Sequence, residues 1–305
     1  MTKLNPLVIY HGTCMDGFTS AWICNQFLVS PDLHQGVYGK QPPWDFLRDR
    51  DVYIVDFSYP REQLIEMYAI AENLLVIDHH ESAKNDCEGL EFCIFDMERS
   101  GAGLTWDYFS EGEPRPDWID RVEDRDLWRF NYPDTKKVHA YMASQPMTLE
   151  SWDAISEIHV EDLAVYGESI LDYMKREYEL VAEERIIAQI GEHNVAVVNC
   201  PYHLASGSAD YMMRVFDVDY AMAWFKRSDG MYQFSLRSKP DSVDVSLIAK
   251  RFNGGGHKGA AGFSSPVLPD FSVIPTTRIH RGRCTECDSI IELGESHRLS
   301  CSLSK

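Results

Sequence analysis

Three short apolar runs in the first part of the chain each stop on a histidine or an aspartate, and this pattern constrains the fold more than any other feature. LVIY (7–10) runs into His11, VYIV (52–55) into Asp56, and LLVI (74–77) into Asp78-His79-His80. Unbroken apolar runs of this length suit strands that are covered on both faces. Helical stretches follow near Gly17–Phe27 and from Arg61 to about Asn73, and FCIFD (92–96) offers a fourth strand. Strands alternating with helices at this spacing imply βαβ units and a mostly parallel sheet. Functional groups in such sheets collect at the carboxyl ends of the strands, where His11, Asp56 and Asp78-His79-His80 all fall.

Further along, residues 160–190 hold one glycine and no proline, with Leu163, Ile170, Leu171, Met174, Tyr178, Val181, Ile186 and Ile190 at helical spacing. This predicts a long amphipathic connector. AVVNC (196–200), YAMAWF (220–225) and MYQFSLR (231–237) read as strands of a second domain, with a helix near Val245–Phe252 before a glycine cluster. The predicted fold class is therefore α/β, with an N-terminal domain over 1–160 and a connector helix over 161–190. A smaller α/β domain over 191–268 and a Cys/His tail over 269–305 complete it. A chain of 305 residues is long enough for this division.

Composition narrows the function. A net charge of −19 argues against a general duplex-DNA binder, yet carboxylates that hold cations can receive a small anionic substrate. No apolar run reaches the roughly 20 residues that span a bilayer, and the first residues lack a signal-peptide pattern. A cytoplasmic protein without a membrane partner is expected. Five of the eight cysteines are scattered, unlike a disulfide framework.

Four constellations carry chemistry. The loop H-G-T-C-M-D-G-F-T-S-A (11–21) offers His11 and Asp16, Asp56 follows VYIV, the triplet is Asp78-His79-His80, and Asp124 lies within V-E-D-R-D-L-W. Taken singly, each reads as readily as a capped turn or a charged helix end. Together and in this order they resemble the DHH phosphoesterase superfamily over roughly 265 residues. F-N-G-G-G-H-K-G-A-A-G-F (252–263), preceded by F-S-L-R-S (234–238), resembles the DHHA1 domain of its oligoribonuclease and phosphoadenosine phosphatase branch.

The resemblance implies that His11 binds a first metal and Asp16 a second, with Asp56 bridging them and His79 and Asp124 completing the second site. His80 would sit beside the scissile phosphate and Asp78 would orient the histidines. Arg237, Ser238 and His257 would contact substrate, and Gly254, Gly255 and Gly256 would let backbone approach it. The chemistry agrees: carboxylates with imidazole suit two divalent cations, Mn2+ foremost and Mg2+ as the alternative, about 3.5–4 Å apart. Such a pair activates water and offsets charge on the phosphate. Arg237 adds a planar fork for phosphate.

The expected activity is hydrolysis of phosphodiester bonds in a short single-stranded oligonucleotide or small nucleotide. The alternatives are a pyrophosphatase or exopolyphosphatase and a nucleotide-binding regulator that has lost catalysis. Cys14 stands where many members carry aspartate, and both a metal-ligand and a structural-thiol reading are open. Cys284, Cys287, His297 and Cys301, spaced Cys-x2-Cys-x9-His-x3-Cys, suggest a structural Zn2+ in the tail; the other reading is a tail with reduced cysteines. Trp22, Trp106, Trp118 and Trp128 are expected to serve core packing.

Overall fold

The computed structural model describes residues 4–12, 14–239, 241–269 and 272–273. Cys284, Cys287, His297 and Cys301 lie outside the described residues. The chain divides into two compact units, Met1–Asp172 and Tyr173–Lys305.

The first unit opens with β1 (Leu7–His11), α1 (Met15–Phe27), β2 (Asp32–Gly36), β3 (Asp51–Val55), α2 (Arg61–Ile70), β4 (Asn73–Asp78), α3 (Lys84–Cys87) and β5 (Cys93–Phe95). Its five strands form a wholly parallel sheet in the order β2-β1-β3-β4-β5. Alternate side chains enter opposite cores. Val8, Tyr10, Val55 and Ile77 pack with Phe18, Ala21 and Trp22 of α1, whereas Leu7, Ile9, Val52, Ile54 and Val76 pack with Leu64 and Met67 of α2. Covering both faces is what requires an apolar residue at nearly every strand position, each burial contributing about 1.5–3 kcal/mol. β2 (DLHQG) escapes this rule because it is an edge strand, paired only with β1.

The chain leaves β1 toward β2 on one side and takes up β3 on the other. This reversal of strand order marks the ligand crevice of parallel sheets, and it places His11 and Asp56 on neighbouring strand ends. Four more helices follow: α4 (Gly101–Phe109), α5 (Asp117–Asp126), α6 (Thr135–Ser144) and α7 (Leu149–Ser156). Trp22 and Trp118 are buried as expected, meeting edge to face at 5.2 Å. Trp128, by contrast, is 55% exposed and is not a core residue.

The helix α8 (Val160–Glu183) carries the chain into the second unit. It stops short of the expected 190, because residues 186–190 are a strand, β6 (Ile186–Ile190). β6 pairs antiparallel with β7 (His193–Asn199) across a turn in which Gly191 has φ +62°. The isoleucine spacing fits either element, and β-branched side chains with a paired neighbour settle it as strand. After β7 come α9 (Tyr202–Val215), β8 (Tyr220–Lys226), β9 (Tyr232–Ser238), α10 (Val245–Lys250), β10 (Gly255–His257), β11 (Ala260–Ser265) and β12 (Ser272–Val273). They form a mixed sheet in the order β10-β11-β9-β8-β7-β6-β12, antiparallel except between β7 and β8, which α9 connects. Val195, Ala221, Phe234 and Phe263 lie in the core of this unit. No described helix is long and apolar enough to cross a membrane.

Candidate active site

The ends of β1, β3 and β4 bring their polar residues together. Asp56 is the centre: its Oδ1 lies 3.0 Å from His79 Nε2, and its Oδ2 accepts from the Cys14 thiol at 3.0 Å and lies 3.5 Å from His11 Nδ1. Its backbone has φ +53°, an αL conformation that aspartate tolerates better than most residues. Room for this carboxylate comes from two glycines. A Cβ on Gly17 would lie 2.4 Å from the His11 carbonyl oxygen and 3.0 Å from Asp56 Oδ2, and one on Gly101 would lie 2.4 Å from Asp56 Cβ. Cys14 caps α1, its sulfur accepting the Gly17 N–H at 3.2 Å.

Asp16, in the first turn of α1, is buried against the start of α4. Its carboxylate accepts the N–H groups of Gly101 at 2.7 Å and Ala102 at 3.1 Å, donors that a helix N-terminus leaves unpaired. Asp78 acts on the histidines that follow it. Its Oδ1 accepts the backbone N–H of His79 at 2.7 Å and of His80 at 3.2 Å, and lies 2.7 Å from His80 Nδ1.

Asp124 is not with this cluster. Although buried, its carboxylate turns to the loop after α5, accepting the N–H of Asn131 at 2.8 Å and of Tyr132 at 3.4 Å, and the Thr135 hydroxyl. The carboxylate that reaches the cluster is Asp126, with Oδ2 3.5 Å from His79 Nε2; Asp16 Oδ2 lies 3.7 Å from the same nitrogen. The sequence carried a signal for this. Asp126, itself more exposed, falls on the same helical face as the buried Ile119 and Val122, at spacings of three and four along α5.

Among the described residues, three sets of donors have geometry that fits a cation, with ligand atoms all within 4.8 Å of one another: His11, Cys14 and Asp56; Asp56, His79 and His80; and Asp16, His79 and Asp126. Asp56 belongs to two sets and His79 to two, so neighbouring cations could share ligands. The clustered charges also shift one another. Burial, then the charges of Asp56 and Asp126, push Asp16 well above the usual carboxylate range. Burial pushes Asp56 up too, but hydrogen bonds from His11 and His79 outweigh it and hold Asp56 below that range. For His79, burial favours the neutral ring, yet the Asp56 hydrogen bond and the Asp16, Asp56 and Asp126 charges raise its pKa to about 9. Burial likewise opposes a charge on His80, and the Asp78 hydrogen bond with the Asp56 charge raises its pKa nevertheless. Burial and the Asp56 and Asp16 charges raise the Cys14 thiol, which keeps its proton and its hydrogen bond to Asp56.

In the second unit, Arg237 and His257 occupy one cross-strand row, both opposite Ala260. Arg237 is fixed by Nη1 donating to the Leu236 carbonyl at 2.8 Å and by Nη2 donating to the Ser206 hydroxyl of α9. Ser238 donates its hydroxyl to the Lys258 carbonyl at 3.2 Å, tying β9 to the β10–β11 turn. Gly254 packs so closely that a Cβ would meet the Gly262 carbonyl oxygen at 2.2 Å, and Gly256 has φ +136°. Gly255 has open space around it. A cavity of about 680 Å³ beside this loop is lined by Gln233, Arg251, Phe252, Asn253 and Gly254, among others.

Residues 196–272 match the family model of the DHHA1 domain. The fold is similar to the DHH domain of a member of the s1p family of ribosomal proteins, at 14% identity and a TM-score of 0.53 over 85% of this chain and 82% of that one. The chain carries a C-terminal DHHA1 domain and shares its fold with a DHH-domain protein. The chain is also similar in fold to an exopolyphosphatase-related protein from Bacteroides fragilis, at 16% identity and a TM-score of 0.52 over 87% of this chain and 88% of that one. In sequence it is 28% identical to an uncharacterized protein of Acanthamoeba polyphaga mimivirus, over 98% of this chain and 77% of that relative.

Proposed function

We propose that this chain is a metal-dependent phosphodiesterase that hydrolyses short single-stranded oligonucleotides or related small nucleotides. The observation that carries the reading is the convergence of His11, Asp16, Asp56, His79 and Asp126 into overlapping cation-fitting sets centred on Asp56. Two divalent cations held there, Mn2+ in our reading, supply Lewis acidity toward phosphate oxygens and lower the pKa of water.

The chain's own residues do the rest. Asp56 presents one oxygen to His79 and the other to the His11 side, and so fixes the spacing of the site. Gly101 and Ala102 N–H groups hold Asp16 in one orientation, which removes reorganisation from the reaction. His80 shares the proton at Nδ1 with Asp78 and is 27% exposed. The Asp78 hydrogen bond and the Asp56 charge raise its pKa against the effect of burial, which favours a proton that it could donate to a phosphate oxygen or to the leaving alkoxide. Arg237, Ser238 and His257, with the Gly254, Gly255 and Gly256 backbone, are our candidates for binding the far phosphate or terminal nucleotide; the DHHA1 match supports them.

The test is hydrolysis of a 5′-labelled five-nucleotide RNA with Mn2+ present or chelated. Stepwise, Mn2+-dependent shortening is expected, abolished in Asp56→Ala and weakened in Arg237→Ala. Cleavage of polyphosphate with no action on RNA would replace this reading with a phosphoanhydride hydrolase.

A further inference from the structure

The loop that closes α5 holds two bulky aromatic residues in a backbone conformation they rarely adopt. Trp128 has φ +55° and Phe130 φ +52°. Trp128 follows the cap Leu127, a position that glycine ordinarily fills for this reason. The strain is held in place by hydrogen bonds. Trp128 N–H donates to the Arg125 carbonyl at 3.2 Å, Arg129 N–H to the Asp124 carbonyl at 2.9 Å, and Asn131 N–H to the Asp124 carboxylate at 2.8 Å.

Burial does not compensate for the conformation, because Trp128 remains 55% exposed. Strained, over-determined residues of this kind concentrate where ligands are held. The indole is also fixed in place. Phe130 meets it edge-on at 5.1 Å, and the Arg125 guanidinium lies 4.1 Å from the ring centroid. The Lys136 ammonium lies 4.7 Å from the Phe130 ring. Two residues before Trp128, Asp126 takes part in the cation-fitting set with Asp16 and His79.

We propose that Trp128, braced by Phe130 and Arg125, is a stacking platform for a nucleobase of the substrate. The proposal rests on the phosphodiesterase reading for the identity of the ligand. Arg125 covers one face of the indole, and the base takes the other. Stacking on an indole is tolerant of base identity. The ligand class follows from the combination of a rigid aromatic plane with Arg125 and Lys136 in a chain of net charge −19. Those cations suit a ring that carries phosphate, which an aromatic side chain of another protein does not.

The experiment compares wild type, Trp128→Gly and Trp128→Phe for binding of diadenylate and of inorganic pyrophosphate, with Ca2+ replacing Mn2+ to slow turnover. Thermal unfolding is measured on the same samples. Glycine suits the left-handed backbone, so Trp128→Gly is expected to melt at or above the wild-type temperature. Its diadenylate affinity should fall roughly tenfold while pyrophosphate, which has no base, is bound as before; Trp128→Phe should recover most of the loss. Equal weakening for both ligands, or a clear drop in melting temperature, would make Trp128 a structural residue and overturn the platform. Unchanged diadenylate binding in Trp128→Gly, or none by wild type, would overturn it too. Wild type that binds diadenylate in a Trp128-dependent way but cleaves no oligonucleotide with Mn2+ would leave the platform standing and remove the phosphodiesterase reading.

Discussion

Asp124 and Asp126 are two residues apart, both in α5, but their carboxylates face different surroundings, so on the proposed reading alanine at each should separate stability from metal binding. Asp124→Ala removes the acceptor for the Asn131 N–H, the Tyr132 N–H and the Thr135 hydroxyl. Hydrogen bonds to a charged group are worth about 1.5–3 kcal/mol each, and at 3.4 Å the Tyr132 contact counts for little. Relief from burying the carboxylate offsets part of the remainder, leaving a net loss of about 3 kcal/mol. For a unit of this size that is a fall in melting temperature of roughly 6–12 °C. Asp126→Ala loses no hydrogen bond of this kind, only the 3.5 Å approach to His79 Nε2. Its side chain is 30% exposed and faces the Asp16 and Asp56 carboxylates, so chelator-treated Asp126→Ala should melt at or above wild type. Its Mn2+ affinity should fall by more than the roughly 10–100-fold that loss of an outer partner costs. Thermal unfolding with chelator and calorimetric titration with Mn2+ read the two effects. If Asp124→Ala loses Mn2+ binding at an unchanged melting temperature while Asp126→Ala binds normally, the assignment made from the geometry is wrong.

Two further outcomes follow from buried groups away from the cluster. Trp152 is fully buried and donates its indole N–H to the Thr19 hydroxyl at 3.0 Å; Thr19→Val keeps the volume but strands that donor, and urea unfolding should show a loss of about 1–3 kcal/mol. His139 is held neutral by burial, then by the Arg125 charge, with its pKa lowered from 6.5 to about 4. The unfolded chain therefore takes up a proton near pH 6.5 that the folded one refuses until about pH 4. Stability is complete above pH 6.5 and falls toward pH 4, by at most about 3 kcal/mol from this group. Urea melts across that range should show a shallower fall in His139→Gln; equal slopes would mean that His139 titrates normally.

Much of the first unit was legible because two-sided burial leaves a plain mark: β1, β3 and β4 are runs of apolar residues whose ends deliver His11, Asp56 and Asp78. β2 left no such mark, since an edge strand can be polar, and β6 was hidden by isoleucines whose spacing serves helix and strand alike. Among the candidate residues, His11, Asp56, Asp78, His79 and His80 lie together at the strand ends, with Asp16 beside them on α1. The motif V-E-D-R-D-L-W pointed to Asp124 and left Asp126 unnoticed, because a motif spells out residues but not the turn that follows them. Left-handed conformations at Trp128 and Phe130 fold the loop back over Asp124, and no periodicity announces that. The contact of Asp16 with the start of α4 joins segments 85 residues apart, beyond the reach of any local pattern.

Gly17 and Gly101 flank Asp56, each at a distance that excludes a methyl group. Neither has a side chain with which to bind, donate or accept, yet each fixes where the central carboxylate can stand. Part of the specification of this site is thus written as vacancy, in positions whose only contribution is volume left unfilled. A chain could keep every ligand and lose the site through one added carbon at either glycine. Conversely, in distant relatives these two glycines should outlast some of the ligands themselves, because a histidine can be exchanged for another donor, whereas nothing smaller than glycine exists.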